Sequence, residues 1–274
     1  SRFETRFHTV LLDVAALRTL ATPTEEDARR LVSGLPNAPV VRHHFFEGNQ
    51  NAAWLPLLEK YGLFREPPPP VVDQDRGSTT FIAWPESRYL ARIAAEPTTH
   101  RVLARVLDEM AGTDDVRVIG DVIEALSQLP TSLGVTARDR VLAWMEQQDR
   151  LFMIGHRELL PLARHMFESG EIAVSRRILH ILLDIRPRVG QPSSAGTPRI
   201  DQWDYRRLIE EALPSEPLFP DPFERFCLLL ECLEDSGDLE VAPGGLSPQY
   251  RRQAIEDSSQ DEDDDPFGAL LSGV

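Results

Sequence analysis

A chain of 274 residues, 42% of them apolar, holds one or two domains with a sizeable buried core. Its 44 acidic against 29 basic residues give a net charge of −15, which disfavours nucleic-acid binding, where clustered Arg and Lys drive counterion release. No apolar run approaches 18 residues and no cleavable leader is written, so neither a membrane span nor secretion is expected.

Helical periodicity dominates, and strand alternation is nearly absent. A first helix is predicted over 5–20, with Val10, Leu11, Val14, Leu17 and Leu20 on one face. Thr24 opens a second through Glu25, Glu26 and Asp27, acids that suit the positive end of a helix dipole. A third is predicted over 38–47 and a fourth over 51–61. In the fourth, Trp54, Leu57, Leu58 and Tyr61 fall at i, i+3, i+4 and i+7 as one stripe.

Residues 65–84, with prolines at 67–70 and a polar continuation, read as a linker or exposed loop. Trp84-Pro85 then launches a helix through Tyr89, Leu90 and Ile93, because Pro at the first helical position loses no needed N–H. Helices follow over 99–111, 114–129, from 136, over 157–168 and from 171. Thr136 and Asp139 form a candidate capping box. Starts near 99, 136 and 171 give a period of about 36 residues, the range of helix-pair repeats. Residues 187–199 read as a flexible loop, with short helices over 201–213 and 222–235 beyond it. The two cysteines, Cys227 and Cys232, would point to different faces of the last predicted helix, and free thiols there are expected to fit a reducing cytoplasm. The chain opens Ser1-Arg2-Phe3 directly in a helical pattern and is expected to be a processed product or a fragment of a longer protein.

The segment Asp114-Asp115-Val116-Arg117, followed by Asp121 and by Ala125-Leu126, resembles the second helix of a HEAT repeat. Glu171 to Leu183, with Val174, Arg176 and Arg177, is a weaker echo. The resemblance covers 99–185 and implies stacked helix pairs, an aspartate that caps a helix and an arginine that bridges to a neighbouring repeat. The 45–92 block, with Phe45-Phe46, Trp54-Leu55, Leu63-Phe64, the proline run, Trp84-Pro85 and Tyr89-Leu90-Ala91-Arg92, is similar to helical-repeat regions of large bacterial ATPase-type proteins, some of them implicated in phage defence. That resemblance implies a scaffold or sensor whose NTPase lies elsewhere.

The chemistry-bearing residues are scattered. The only lysine, Lys60, stands before Tyr61-Gly62 without a glycine-rich loop, so no P-loop is written. His43 and His44 would point about 100° apart on a helix, and His156 and His165 lie on opposite sides of one. Acid clusters such as Glu25, Glu26 and Asp27 read as caps and solvated faces. Arg29-Arg30, Arg176-Arg177, Arg206-Arg207 and Arg251-Arg252 read as surface pairs near acids, or as a basic groove for an acidic partner. Arg101, Arg105, Arg117 and Arg140 form a more specific set that could line consecutive repeats. Trp54, Trp84, Tyr89 and Trp144 read as structural anchors.

The tail carries seven acids over 256–265 with no basic residue, then Phe267, Leu270 and Leu271. Self-repulsion extends the acidic run, and the apolar end reads as a docking peptide or as part of a solubilising tail. Asp265-Pro266-Phe267 resembles peptides that bind vesicle adaptors.

The sequence therefore predicts an all-α protein, a HEAT-like helical repeat or α-solenoid with irregular N-terminal helices and a disordered acidic C-terminal tail. Its expected parts are a helical cap over 1–64, the proline-rich segment 65–84, a repeat domain over 85–242 and the tail over 243–274. The expected function is a cytoplasmic, non-enzymatic scaffold that needs no cofactor or metal and makes no membrane contact. Its partner is another protein or another domain of the same polypeptide. The candidate partner-binding residues are Arg101, Arg105, Arg117, Arg140, Phe267, Leu270 and Leu271. Alternatives are a helical enzyme whose site lies between helices, drawing on His43, His156 or His165, and a trafficking-type adaptor that uses its tail.

Overall fold

The computed structural model describes residues 2–34, 39–73, 78–148 and 158–183. Those residues are mostly helical. The helices are α1 (Arg2–Arg18), α2 (Glu25–Gly34), α3 (Pro39–Phe46), α4 (Leu55–Glu59), α5 (Pro85–Ile93), α6 (His100–Glu109), α7 (Val116–Leu126), α8 (Val135–Gln147), α9 (Leu160–Glu168) and α10 (Ile172–Leu183). The expected helices over 201–213 and 222–235, the 187–199 loop and the acidic tail lie outside the described residues.

Local chemistry sets the helix ends. At α2, Thr24 and Asp27 cap each other: the Asp27 amide donates to Thr24 Oγ1 at 3.3 Å and the Thr24 amide donates to Asp27 Oδ2 at 2.9 Å. The Thr24 hydroxyl, donating to the same carboxylate, is the main reason the Asp27 carboxyl sits below its ordinary value. At α5, Trp84 is extended and Pro85 takes the first helical position, as expected. At α7, Asp115 Oδ1 accepts from the Arg117 amide at 2.9 Å. Helix α9 ends at Gly170, whose φ of 84° lets the Gly170 amide reach Phe167 O and the Glu171 amide reach Met166 O.

Three details depart from the expected pattern. The fourth helix is a 3₁₀ turn over Ala52–Trp54 followed by α4, because Pro56 falls in its first turn. Trp54, Leu55 and Leu58 are buried there, while Leu57 and Tyr61 are only half-buried. The start of α8 does not use Thr136, which already lies inside the helix; the Ala137 amide instead donates to Asp108 Oδ1 of α6 at 2.8 Å. Within the expected loop, β1 (Val71–Asp73) pairs antiparallel with β2 (Ser78–Thr80), in the register Val71 to Thr80. The β-branched pairs Val71–Thr80 and Val72–Thr79 favour that conformation, but the run is too short to show as alternation in the sequence.

The chain divides into two compact units, Ser1–Trp144 and Met145–Val274. In the first, packing alternates along the chain. Helix α1 meets α3, α3 meets α5 and α5 meets α7, while α2 meets α4 and α4 meets α6. An aromatic cluster fills this core. Phe45 meets Phe46 and Trp54 edge-on at 5.0 and 5.1 Å, and Phe46 meets Tyr89 at 5.4 Å. Phe64 stacks on Tyr89 at 6.1 Å, so residues from before and after the proline run share one core. In the second unit, α9 packs on α10, and the buried Ser175 hydroxyl donates to Ala163 O at 2.8 Å.

Gly134 opens α8 with φ 64°, and a Cβ placed there would lie 2.8 Å from Leu126 Cδ2. Gly134→Ala is therefore expected to cost about 1–3 kcal/mol, from the left-handed backbone and the forced shift of Leu126 together. A urea titration reads it as a lower midpoint with an unchanged slope.

Candidate functional site

Two features of the described residues bear on function: a system of polar rungs between helices, and a groove. Each rung joins helices two apart in the chain. Arg18 of α1 donates to His44 O and Glu47 O at the end of α3, at 3.2 and 3.0 Å. Arg42 of α3 donates to the buried Glu86 of α5 at 2.5 Å. From α5, Ser87 donates to Asp121 of α7 at 2.6 Å, and Arg88 reaches both Asp121 and Glu124. On the alternate helices, Glu25 at the start of α2 accepts from Lys60 and Tyr61 just past α4, at 2.7 and 2.9 Å. Arg105 of α6 clasps Glu59 of α4 through two bonds of 2.6 Å. Arg140 of α8 donates to Leu107 O and Asp108 O at the end of α6. In the second unit Arg177 of α10 clasps Glu146 of α8 at 2.7 and 3.0 Å.

Burial decides the electrostatics of the inner rungs. Desolvation raises the carboxyls of Glu86 and Asp121 above their ordinary values, against the pull of Arg42 on the first and of Ser87 and Arg88 on the second. Partial burial likewise lowers the Arg140 guanidinium. These shifts follow from closing a polar rung between packed helices.

The groove is a half-open cavity of about 290 Å³. One wall is the proline run, through Pro67, Pro69 and Pro70. The other is Met110 to Asp114 with Ile119 and Val122 of α7 and Arg140, Val141 and Trp144 of α8. The proline wall is held in place where the Ala111 amide donates to Arg65 O at 2.8 Å. Trp144 is only half-buried, unlike Trp54, Trp84 and Tyr89, and its indole N–H donates to Asp114 Oδ1 at 2.8 Å. It thus serves as a groove wall as well as an anchor. Next in the chain, Val71 and Val72 of β1 are 54% and 60% exposed.

The four arginines singled out in the sequence have different settings. Arg105 and Arg140 are rungs, and Arg140 also lines the groove. Arg101 and Arg117 are exposed on α6 and α7. Phe267, Leu270 and Leu271 lie outside the described residues, as does His156. His43 is exposed and sits 3.3 Å from Glu47, just past the end of its own helix. The groove is not flagged by any motif, because its walls come from three separated segments. The sequence signals that bear on it are the proline run and a tryptophan at the outer edge of a helix.

Neither a protein-family model, nor a curated protein, nor a solved structure matches this chain. Among the described residues, no helix is long and apolar enough to cross a membrane.

Proposed function

We propose that this chain is a non-enzymatic helical-repeat scaffold, and that its Ser1–Trp144 unit holds a protein partner or another domain of the same polypeptide in the proline-walled groove. The groove carries the proposal. It joins aromatic, Met, Ile, Val and Pro surface in a concave site, the composition of the core of a protein interface. The scaffold half of the reading is supported by the alternating helix contacts and by polar rungs between helices two apart, the arrangement that stacked helix pairs require. The resemblance of residues 45–92 to repeat regions of bacterial ATPase-type proteins extends the proposal: in a larger defence assembly such a module would be the sensor or scaffold beside the motor.

Gly112 offers a clean test. It lines the groove, and a Cβ there meets open space. Gly112→Trp is expected to fill the groove without disturbing the fold. Partner recovered on the tagged chain from the native source should fall at least tenfold, with thermal unfolding unchanged. Recovery at the wild-type level would remove the groove from the proposal.

A further inference from the structure

Resting on that reading of the groove, we infer that its partner is a protein segment carrying a large apolar anchor and, within a few residues of it, an arginine or lysine that docks against Asp114. The groove floor is carbon surface from Met110, Ile119, Val122, Val141 and Trp144. Its volume of about 290 Å³ lies at the small end for a cavity that encloses a free ligand, and its open side suits a side chain presented by a polypeptide.

The polar groups at the edge choose the charge of the partner. Pro67, Pro69 and Pro70 bring carbonyl acceptors and no N–H donors. Thr113 Oγ1 already accepts from the Asp115 amide at 3.0 Å. Arg140 is the one cation among the described lining residues, and it is turned to the last carbonyls of α6, with its shorter bond, to Leu107 O, at 2.8 Å. Asp114 is exposed, and the indole N–H of Trp144 fixes its orientation. The edge therefore presents one exposed carboxylate, while its one lining cation is engaged by the α6 carbonyls. Exposed Glu66 and Glu109, next in the chain to Pro67 and Met110, add to that field, and exposed Arg65 and the Arg140 guanidinium oppose it. A basic side chain can lay its stem along the prolines while its head pairs with Asp114.

The test is a random-peptide display library panned on the full chain and counter-panned on Gly112→Trp. Peptides that separate the two proteins should share an aromatic or large aliphatic residue with Arg or Lys close by. In fluorescence titrations Asp114→Asn, which still accepts the indole N–H, should weaken them about tenfold, the loss of one charge-assisted contact. The loss should shrink as salt is raised. Groove-dependent peptides that are acidic or uncharged, or that bind Asp114→Asn as tightly as the wild type, would overturn the inference and leave the groove as a docking site. If no peptide distinguishes the wild type from Gly112→Trp, the groove reading itself fails, and the inference with it.

Discussion

Trp54→Ala is expected to destabilise the Ser1–Trp144 unit by about 3–5 kcal/mol, the range for truncating a large aromatic residue in a packed core. Trp54 is fully buried, and its ring meets Phe45 edge-on at 5.1 Å. Phe45 leads to Phe46, and Phe46 to Phe64 and Tyr89, so a cavity at Trp54 borders a cluster drawn from α3, the segment after α4, and α5. The neighbours cannot collapse into the space freely, because Tyr89 is tied by its hydroxyl to Asn51 O at 2.9 Å. The indole nitrogen contributes little to this cost: among the described residues it has no hydrogen-bond partner. Trp54→Phe therefore keeps most of the ring contact and removes an unsatisfied donor, and should cost about 1–2 kcal/mol. Urea unfolding followed by circular dichroism reads both values. A loss below about 1 kcal/mol for Trp54→Ala would mean that the aromatic cluster is not what holds these helices together.

The helices were legible because each is written locally. Thr24 with Asp27, Trp84-Pro85, Asp115 and Ser169-Gly170 mark ends that the structure uses. The expected cap at Thr136 was misplaced because the group that satisfies the Ala137 amide is Asp108, which comes from another helix. The same reason hid the rungs. Arg105 reads as a surface cation until the residue opposite it is known, and that residue, Glu59, is 46 positions away. The rungs differ in how far apart their partners lie in the chain. Lys60–Glu25, Arg88–Asp121, Arg88–Glu124 and Arg177–Glu146 are 35, 33, 36 and 31 residues apart. Arg42–Glu86 and Arg105–Glu59, both of which straddle the proline run and hairpin, are 44 and 46 apart. The two longer spacings take in residues 65–84, whose prolines make one wall of the groove. Arg117, the residue the HEAT resemblance assigns to bridging, is exposed, while Arg88 and Arg105 make the bridges.

Arg42→Ala is the second large effect, and pH identifies its cause. Glu86 is fully buried on α5, with one oxygen 2.5 Å from Arg42 Nε and the other without a partner among the described residues. Removing Arg42 leaves a buried carboxylate uncompensated, and about 3 kcal/mol should be lost at pH 7, the low end for a broken buried pair because the Arg42 side chain is 33% exposed. The sign of the pH dependence follows from the direction of the Glu86 shift. Burial raises its folded value above 4.5, so the stability linked to this carboxyl is fully present below 4.5 and is lost as pH rises through the folded value. Without Arg42 the folded value rises further and the loss at neutral pH deepens. The gap between wild type and Arg42→Ala should therefore narrow steadily as pH falls from 7 toward 5. Asp121 is raised by burial in the same direction, but it is present in both proteins and largely cancels from the gap. Adding Glu86→Gln to Arg42→Ala removes the stranded charge and should recover more than half of the loss at pH 7, while doing little at pH 5. A gap that stays constant with pH, or a double variant no more stable than Arg42→Ala, would show that Arg42 acts through packing of its stem and that this rung carries no electrostatic stabilisation.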